Sequence, residues 1–318
     1  MSKTMTSLSK KSGRVWIILS MALGIPLFLI LSFFAAFSIA NKTTGQILSS
    51  GEERDYLLYV PESYDLSTPA PLIIVIHGFA QWPAHQAYVT EWNELADEEG
   101  FIVLYPSGTE YPKRWRAGGD TQGDGTLSID TQFIADLIDM LQQQYNIDSS
   151  RIYANGLSNG GGMSFLLSCE LSERIAAIGT VAGAYLYPFE ECTRERSVPL
   201  IVFHGTADPI VPYLGGPSGS FDIPFPNIPA WVKGYAGLNQ CLTEPEILPS
   251  SGNDISGKRY TSCKDNAEVV FYSIAGGGHT WPGGNPIPEI IAGRTSKSID
   301  ATRMMWEFFQ AHPLMSHE

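Results

Sequence analysis

Three short segments carry side chains that could do nucleophilic chemistry together. In Gly156-Leu157-Ser158-Asn159-Gly160 a serine stands among small residues, after the β-prone run Arg151-Ile152-Tyr153-Ala154-Asn155 and before an apolar helical stretch. Strand, Gly-x-Ser-x-Gly, helix is the pattern of a tight turn that lifts a serine hydroxyl clear of a sheet. The following helix would aim its free N–H groups and positive dipole end at the same spot. A serine hydroxyl attacks well only if a base takes its proton, and His279, in Gly277-Gly278-His279-Thr280-Trp281, is the candidate base. The imidazole needs an acceptor on its other nitrogen, and Asp208, in His204-Gly205-Thr206-Ala207-Asp208-Pro209, fits that role. The attacked carbonyl would need N–H donors already in place: Asn159 from the turn, and Phe79 or Ala80, with Phe79 preferred, from the loop after His77-Gly78. His77 and His204, each before a glycine, read as hydrogen-bonded braces of their loops. Trp115 and Trp281 fall in candidate rim loops, where a flat substrate could stack on either ring.

These side chains must be held by regular elements, and the sequence supplies them. Pro71-Leu72-Ile73-Ile74-Val75-Ile76, Phe101-Ile102-Val103-Leu104-Tyr105 and Val198-Pro199-Leu200-Ile201-Val202-Phe203 are continuous apolar runs, as expected of strands buried on both faces of a parallel sheet. Further strands are predicted at 54–60, 151–155, 176–182 and 269–274, and helices over about 83–99, 127–145, 229–238 and 298–310. Alternating strands and helices predict an α/β fold with a mostly parallel, doubly wound sheet in one domain. Ser158, Asp208 and His279 then each follow a strand, where open parallel sheets gather functional residues. Their order along the chain is that of α/β-hydrolases.

The chain has 318 residues and a formal net charge of −13, which argues against a nucleic-acid partner or docking on an anionic membrane surface. Val15 to Ala40 contains no charged side chain and follows Lys3, Lys10, Lys11 and Arg14. As a helix this run would be about 39 Å long, against a hydrocarbon core of about 30 Å. The expected organisation is a basic cytoplasmic region over 1–14, a transmembrane anchor or signal peptide over 15–40, a linker over 41–50 and a catalytic domain over 51–318. An uncleaved anchor is preferred to cleavage near Ala40, and either way the remainder is exported. Of the four cysteines, Cys241 and Cys263 bracket a polar hairpin or excursion whose closure would suit a disulfide. Cys169 and Cys192 either pair or leave Cys169 a buried thiol. No metal-binding or phosphate-loop spacing occurs, so the chemistry calls for no metal and no cofactor.

The segments Ile76-His77-Gly78, Gly156-Leu157-Ser158-Asn159-Gly160-Gly161, Phe203-His204-Gly205-Thr206-Ala207-Asp208 and Gly277-Gly278-His279-Thr280-Trp281-Pro282-Gly283-Gly284 resemble the exported esterases that group polyhydroxybutyrate depolymerase-like enzymes with feruloyl and acetylxylan esterases. The resemblance runs over roughly residues 50 to 311 and departs from the family at Phe79-Ala80-Gln81. It implies an α/β-hydrolase fold, an extracytoplasmic site, Ser158, Asp208 and His279 as a catalytic triad, and a Cys241–Cys263 pair. The expected activity is carboxylic-ester hydrolysis by a monomer, on feruloyl or acetyl esters of polysaccharide or on short hydroxyalkanoate esters. The alternatives are a peptidase or acyltransferase on the same triad, or an anchored carbohydrate-binding protein without catalysis.

Overall fold

A computed structural model describes residues 42–118, 128–219, 222, 224–249 and 253–315. The expected membrane segment at 15–40 lies outside the described residues. Among the described residues no helix is long and apolar enough to cross a membrane. Thr43–Glu318 forms one compact unit.

Its frame is a sheet of ten strands: β1 (Gly45–Ser49), β2 (Glu52–Tyr59), β3 (Ala70–Ile76), β4 (Ile102–Pro106), β5 (Ile147–Leu157), β6 (Ala177–Val181), β7 (Leu200–Gly205), β8 (Glu246–Leu248), β9 (Ile255–Tyr260) and β10 (Val269–Ile274). The order is β1-β2-β4-β3-β5-β6-β7-β10-β9-β8. Strands β4, β3, β5, β6, β7 and β10 run parallel, and an antiparallel pair flanks them on each side. The apolar runs are continuous because both faces are covered. Leu72, Ile74 and Ile76 of β3 face one core, shared with helices α3 (Ile129–Gln144), α4 (Asn159–Glu170) and α5 (Ile228–Leu238). Ile73 and Val75 face the other, shared with α1 (Pro83–Thr90), α2 (Trp92–Glu99) and α7 (Ala301–Gln310). A short α6 (Glu289–Ala292) lies in the loop after β10. Strand order reverses between β3 and β5, where a crevice opens beyond the strand ends.

Two expectations need correction. The helix expected over 83–99 is two, separated by Glu91 in the left-handed region at φ 55°. The Asn285 amide and backbone N–H donate to the carbonyls of Tyr88 and Val89, so this end of α1 is capped by a distant loop rather than continued. The segment expected as a linker over 41–50 contains β1, paired with β2. The segment between Cys241 and Cys263, expected as a hairpin or an excursion, holds the β8–β9 hairpin. Both disulfides, Cys169–Cys192 and Cys241–Cys263, are formed, which resolves the open choice at Cys169.

Helix α4 begins against the sheet with Gly160, Gly161 and Gly162. A Cβ at Gly160 would stand 2.1 Å from the Ile76 carbonyl oxygen, and one at Gly162 would stand 2.2 Å from that of Ala184. Backbone cannot yield as a flexible side chain can. Gly160→Ala is therefore expected to lower stability by about 1–3 kcal/mol, read as a lower urea midpoint at unchanged slope. An unchanged midpoint would contradict this packing.

Candidate active site

Ser158 joins β5 to α4 with φ 58° and ψ −119°, a conformation that a residue with a side chain adopts only when its surroundings hold it there. Its N–H donates to Val181 O at 2.9 Å, and its carbonyl accepts from the N–H groups of Gly162 and Ala184 at 3.0 and 2.9 Å. The turn is thus stapled to β6 and to the loop beyond it. The N–H of Asn159, the first residue of α4, is not used by the helix's own hydrogen bonding. The Asn159 side chain clamps another loop: Oδ1 accepts from Trp115 N at 2.7 Å, and Nδ2 donates to Trp115 O at 3.1 Å.

Asp208 follows β7. Its Oδ1 accepts from the N–H groups of Ile210 and Val211, both at 2.8 Å, which fixes the carboxylate plane. Its Oδ2 accepts from His279 Nδ1 at 2.8 Å. Since a carboxylate can only accept, His279 carries its proton on Nδ1 and its Nε2 is left for other work. Burial alone would push the Asp208 carboxyl upward. The charge and hydrogen bond of His279, then His204 and the Val211 N–H, outweigh it and hold the group below the usual carboxylate range. The sign follows. The folded-state value lies below the free value of about 3.9, so this carboxylate stabilises the fold above that pH. The contribution is lost as pH falls through the lower folded-state value.

The structure brings Asp208 and His279 together, but it does not bring the Ser158 hydroxyl into a hydrogen bond with the imidazole. No hydrogen bond among the described residues uses Ser158 Oγ. Such contacts often tighten only when substrate binds. Ser158 lines a cavity of about 630 Å³ together with Phe79, Asn159, Trp115, Ile210 and Val211. The last two donate their N–H groups to the Asp208 carboxylate, so one loop links the Asp–His pair to the wall of this cavity. Gly78 lies against the turn, where an added Cβ would come within 3.3 Å of Ser158 Cβ. In the loop after β3, the Ala80 N–H is committed to Lys113 O at 2.8 Å.

The two tryptophans part company. Trp115 is a cavity wall, with its Nε1 donating to His77 O at 2.9 Å. Trp281 is a correction: it is 0% exposed in the core beneath α7, with its Nε1 donating to Thr302 Oγ1 at 2.9 Å, so its ring meets no substrate. His77 and His204 brace loops as expected. His77 Nδ1 donates to Gly78 O and its Nε2 accepts from the Gly108 N–H, while burial pushes its pKa down to about 3. His204 Nε2 donates to Val211 O at 2.9 Å and lies 3.4 Å from Asp208 Oδ2, and burial keeps this ring too below its ordinary value. Both therefore stay neutral near pH 7. Sequence reasoning missed the Asn159 clamp, the apolar walls from Leu186 and Phe225, and the charged residues Glu110, Arg114 and Arg116 in the cavity lining. Nothing in their local sequence points inward. Among the described residues no cluster could hold a metal ion.

Among known proteins the chain is similar to esterases. The family described as esterase PHB depolymerase matches residues 54–210. The bifunctional acetylxylan esterase/xylanase XynS20E of Neocallimastix patriciarum is 34% identical over 234 residues, 72% of this chain and 31% of that protein. Feruloyl esterase B of Piromyces equi is 30% identical over 234 residues, 71% of this chain and 42% of that protein. The chain thus spans less than half the length of either relative. The solved acetyl xylan esterase from Aspergillus awamori superposes with a TM-score of 0.61 at 17% identity, covering 83% of this chain and 98% of that one, a likeness in fold. The architecture is α/β-hydrolase-like, with a mostly parallel sheet.

Proposed function

On the premise that the chain is related, through residues 54–210, to the esterase family its motifs resemble, we propose that it is a serine carboxylic-ester hydrolase. Ser158 attacks the ester carbonyl while His279 Nε2 takes the hydroxyl proton and Asp208 steadies the imidazolium. The N–H groups of Asn159 and Phe79 receive the oxyanion. His279 returns the proton to the departing alcohol, and the acyl group stays on Ser158 Oγ. A water then gives its proton to His279 and attacks the acyl-enzyme, which releases the acid. The observation that carries this reading is the buried Asp208–His279 hydrogen bond, whose carboxylate is held by Ile210 and Val211 in the wall of the cavity that Ser158 also lines.

The names of the relatives point to feruloyl or acetyl esters of plant polysaccharide as substrates, with short hydroxyalkanoate esters as a third class. Turnover of methyl ferulate, acetylated xylan and hydroxybutyrate oligomers would separate these. Residues 51–318 would be the catalytic domain, working as a monomer outside the cytoplasm, and the two disulfides suit that compartment. An alkyl fluorophosphonate tests the nucleophile directly. Fluoride should leave and one phosphonyl group should be found on the peptide carrying Ser158. Labelling elsewhere, or none, would remove the basis for this mechanism.

A further inference from the structure

The cavity beside Ser158 is mostly apolar, yet one side is charged. Lys113, Arg114 and Arg116 fall within four residues of the loop after β4, in a chain of net charge −13. Arg114 and Arg116 both line the cavity. Arg114 is closely paired with Glu110. Arg116 is held loosely. Its Nη2 is 3.5 Å from Glu110 Oε1, and its Nη1, 3.8 Å from Asp130 Oδ1, has no hydrogen-bond partner. Asp130 is already engaged, since its Oδ1 accepts from Arg54 Nη2 at 2.9 Å and its Oδ2 from the Arg116 backbone N–H at 2.7 Å. The Arg116 side chain is 18% exposed, so its charge is partly desolvated without a matching fork of acceptors. A neutral acyl group would leave those donors unused.

We propose that Arg116, with Arg114 beside it, receives a carboxylate carried by the ester substrate at the end away from the scissile bond. This rests on the esterase reading above. A guanidinium presents paired N–H donors that match the two oxygens of a carboxylate. The apolar wall at Trp115 and Phe225 would carry the chain between the carboxylate and the reacting carbonyl. The carboxylate could belong to the acid half of the ester or to the alcohol half.

Four substrates distinguish these with the full chain. The p-nitrophenyl monoester of adipic acid and its terminal carboxamide probe the acid half. 4-Acetoxybenzoate and 4-acetoxybenzamide probe the alcohol half. At low ionic strength the anion should be preferred in one pair by about tenfold in kcat/KM, and the preference should shrink as salt is raised. Arg116→Gln should bring that ratio close to one, and Arg116→Lys should keep part of it. Equal or poorer turnover of the anion in both pairs with the unmodified chain overturns the inference while leaving the esterase reading intact. So does a ratio that survives in a folded Arg116→Gln. No turnover of any of the four overturns the hydrolase reading and this one with it.

Discussion

Ser158→Ala is expected to lower turnover of p-nitrophenyl acetate by about 10⁵-fold or more, because the attacking oxygen is gone and only positioning and oxyanion contacts remain. The fold should survive. The backbone contacts that staple this turn, to Val181, Gly162 and Ala184, do not involve the hydroxyl. Alanine also meets the same backbone strain at φ 58° as serine does. The measurement is initial rate beside a thermal melt. A variant that melts like the parent and retains more than a tenth of its activity would end the assignment of Ser158 as nucleophile.

Asp208→Asn should lower kcat by about 10⁴-fold with little change in structure. The asparagine carbonyl can still accept from the N–H groups of Ile210 and Val211, so the loop keeps its shape. The amide nitrogen then faces His279 Nδ1 and can only donate to it. The imidazole must move its proton to Nε2, the atom that has to accept the serine proton, and the base is lost through its tautomer. A loss of less than tenfold in a folded variant would mean that Asp208 merely anchors its loop.

Much of the frame is legible in the residues. The runs at 72–76, 101–105 and 200–203 read as parallel strands, because a strand covered on both faces buries every side chain of a short apolar run on alternating sides. Residues following such strands then had to converge at one edge of the sheet. What local sequence did not carry is what distant contacts decide. The residues around Glu91 suit a helix, and only Asn285, 194 residues away, ends it there. A tryptophan among glycines looks exposed, but Trp281 turns inward because Thr302 offers its indole an acceptor. Arg116 reads as one more surface cation. Its place in the cavity wall depends on Asp130 holding its backbone N–H.

The run of three glycines that opens α4 has a consequence for how the molecule assembles. Glycine costs a helix roughly 1 kcal/mol per residue relative to alanine, so the first turn after Ser158 has little helical tendency of its own. A twelve-residue segment so composed stays unstructured in isolation. In the folded chain it packs where the Ile76 and Ala184 backbones leave no room for any larger residue, so it is expected to order against them. The Ser158 turn is therefore expected to take its shape only after β3 and the segment beyond β6 are in place, so a half-made chain would lack it.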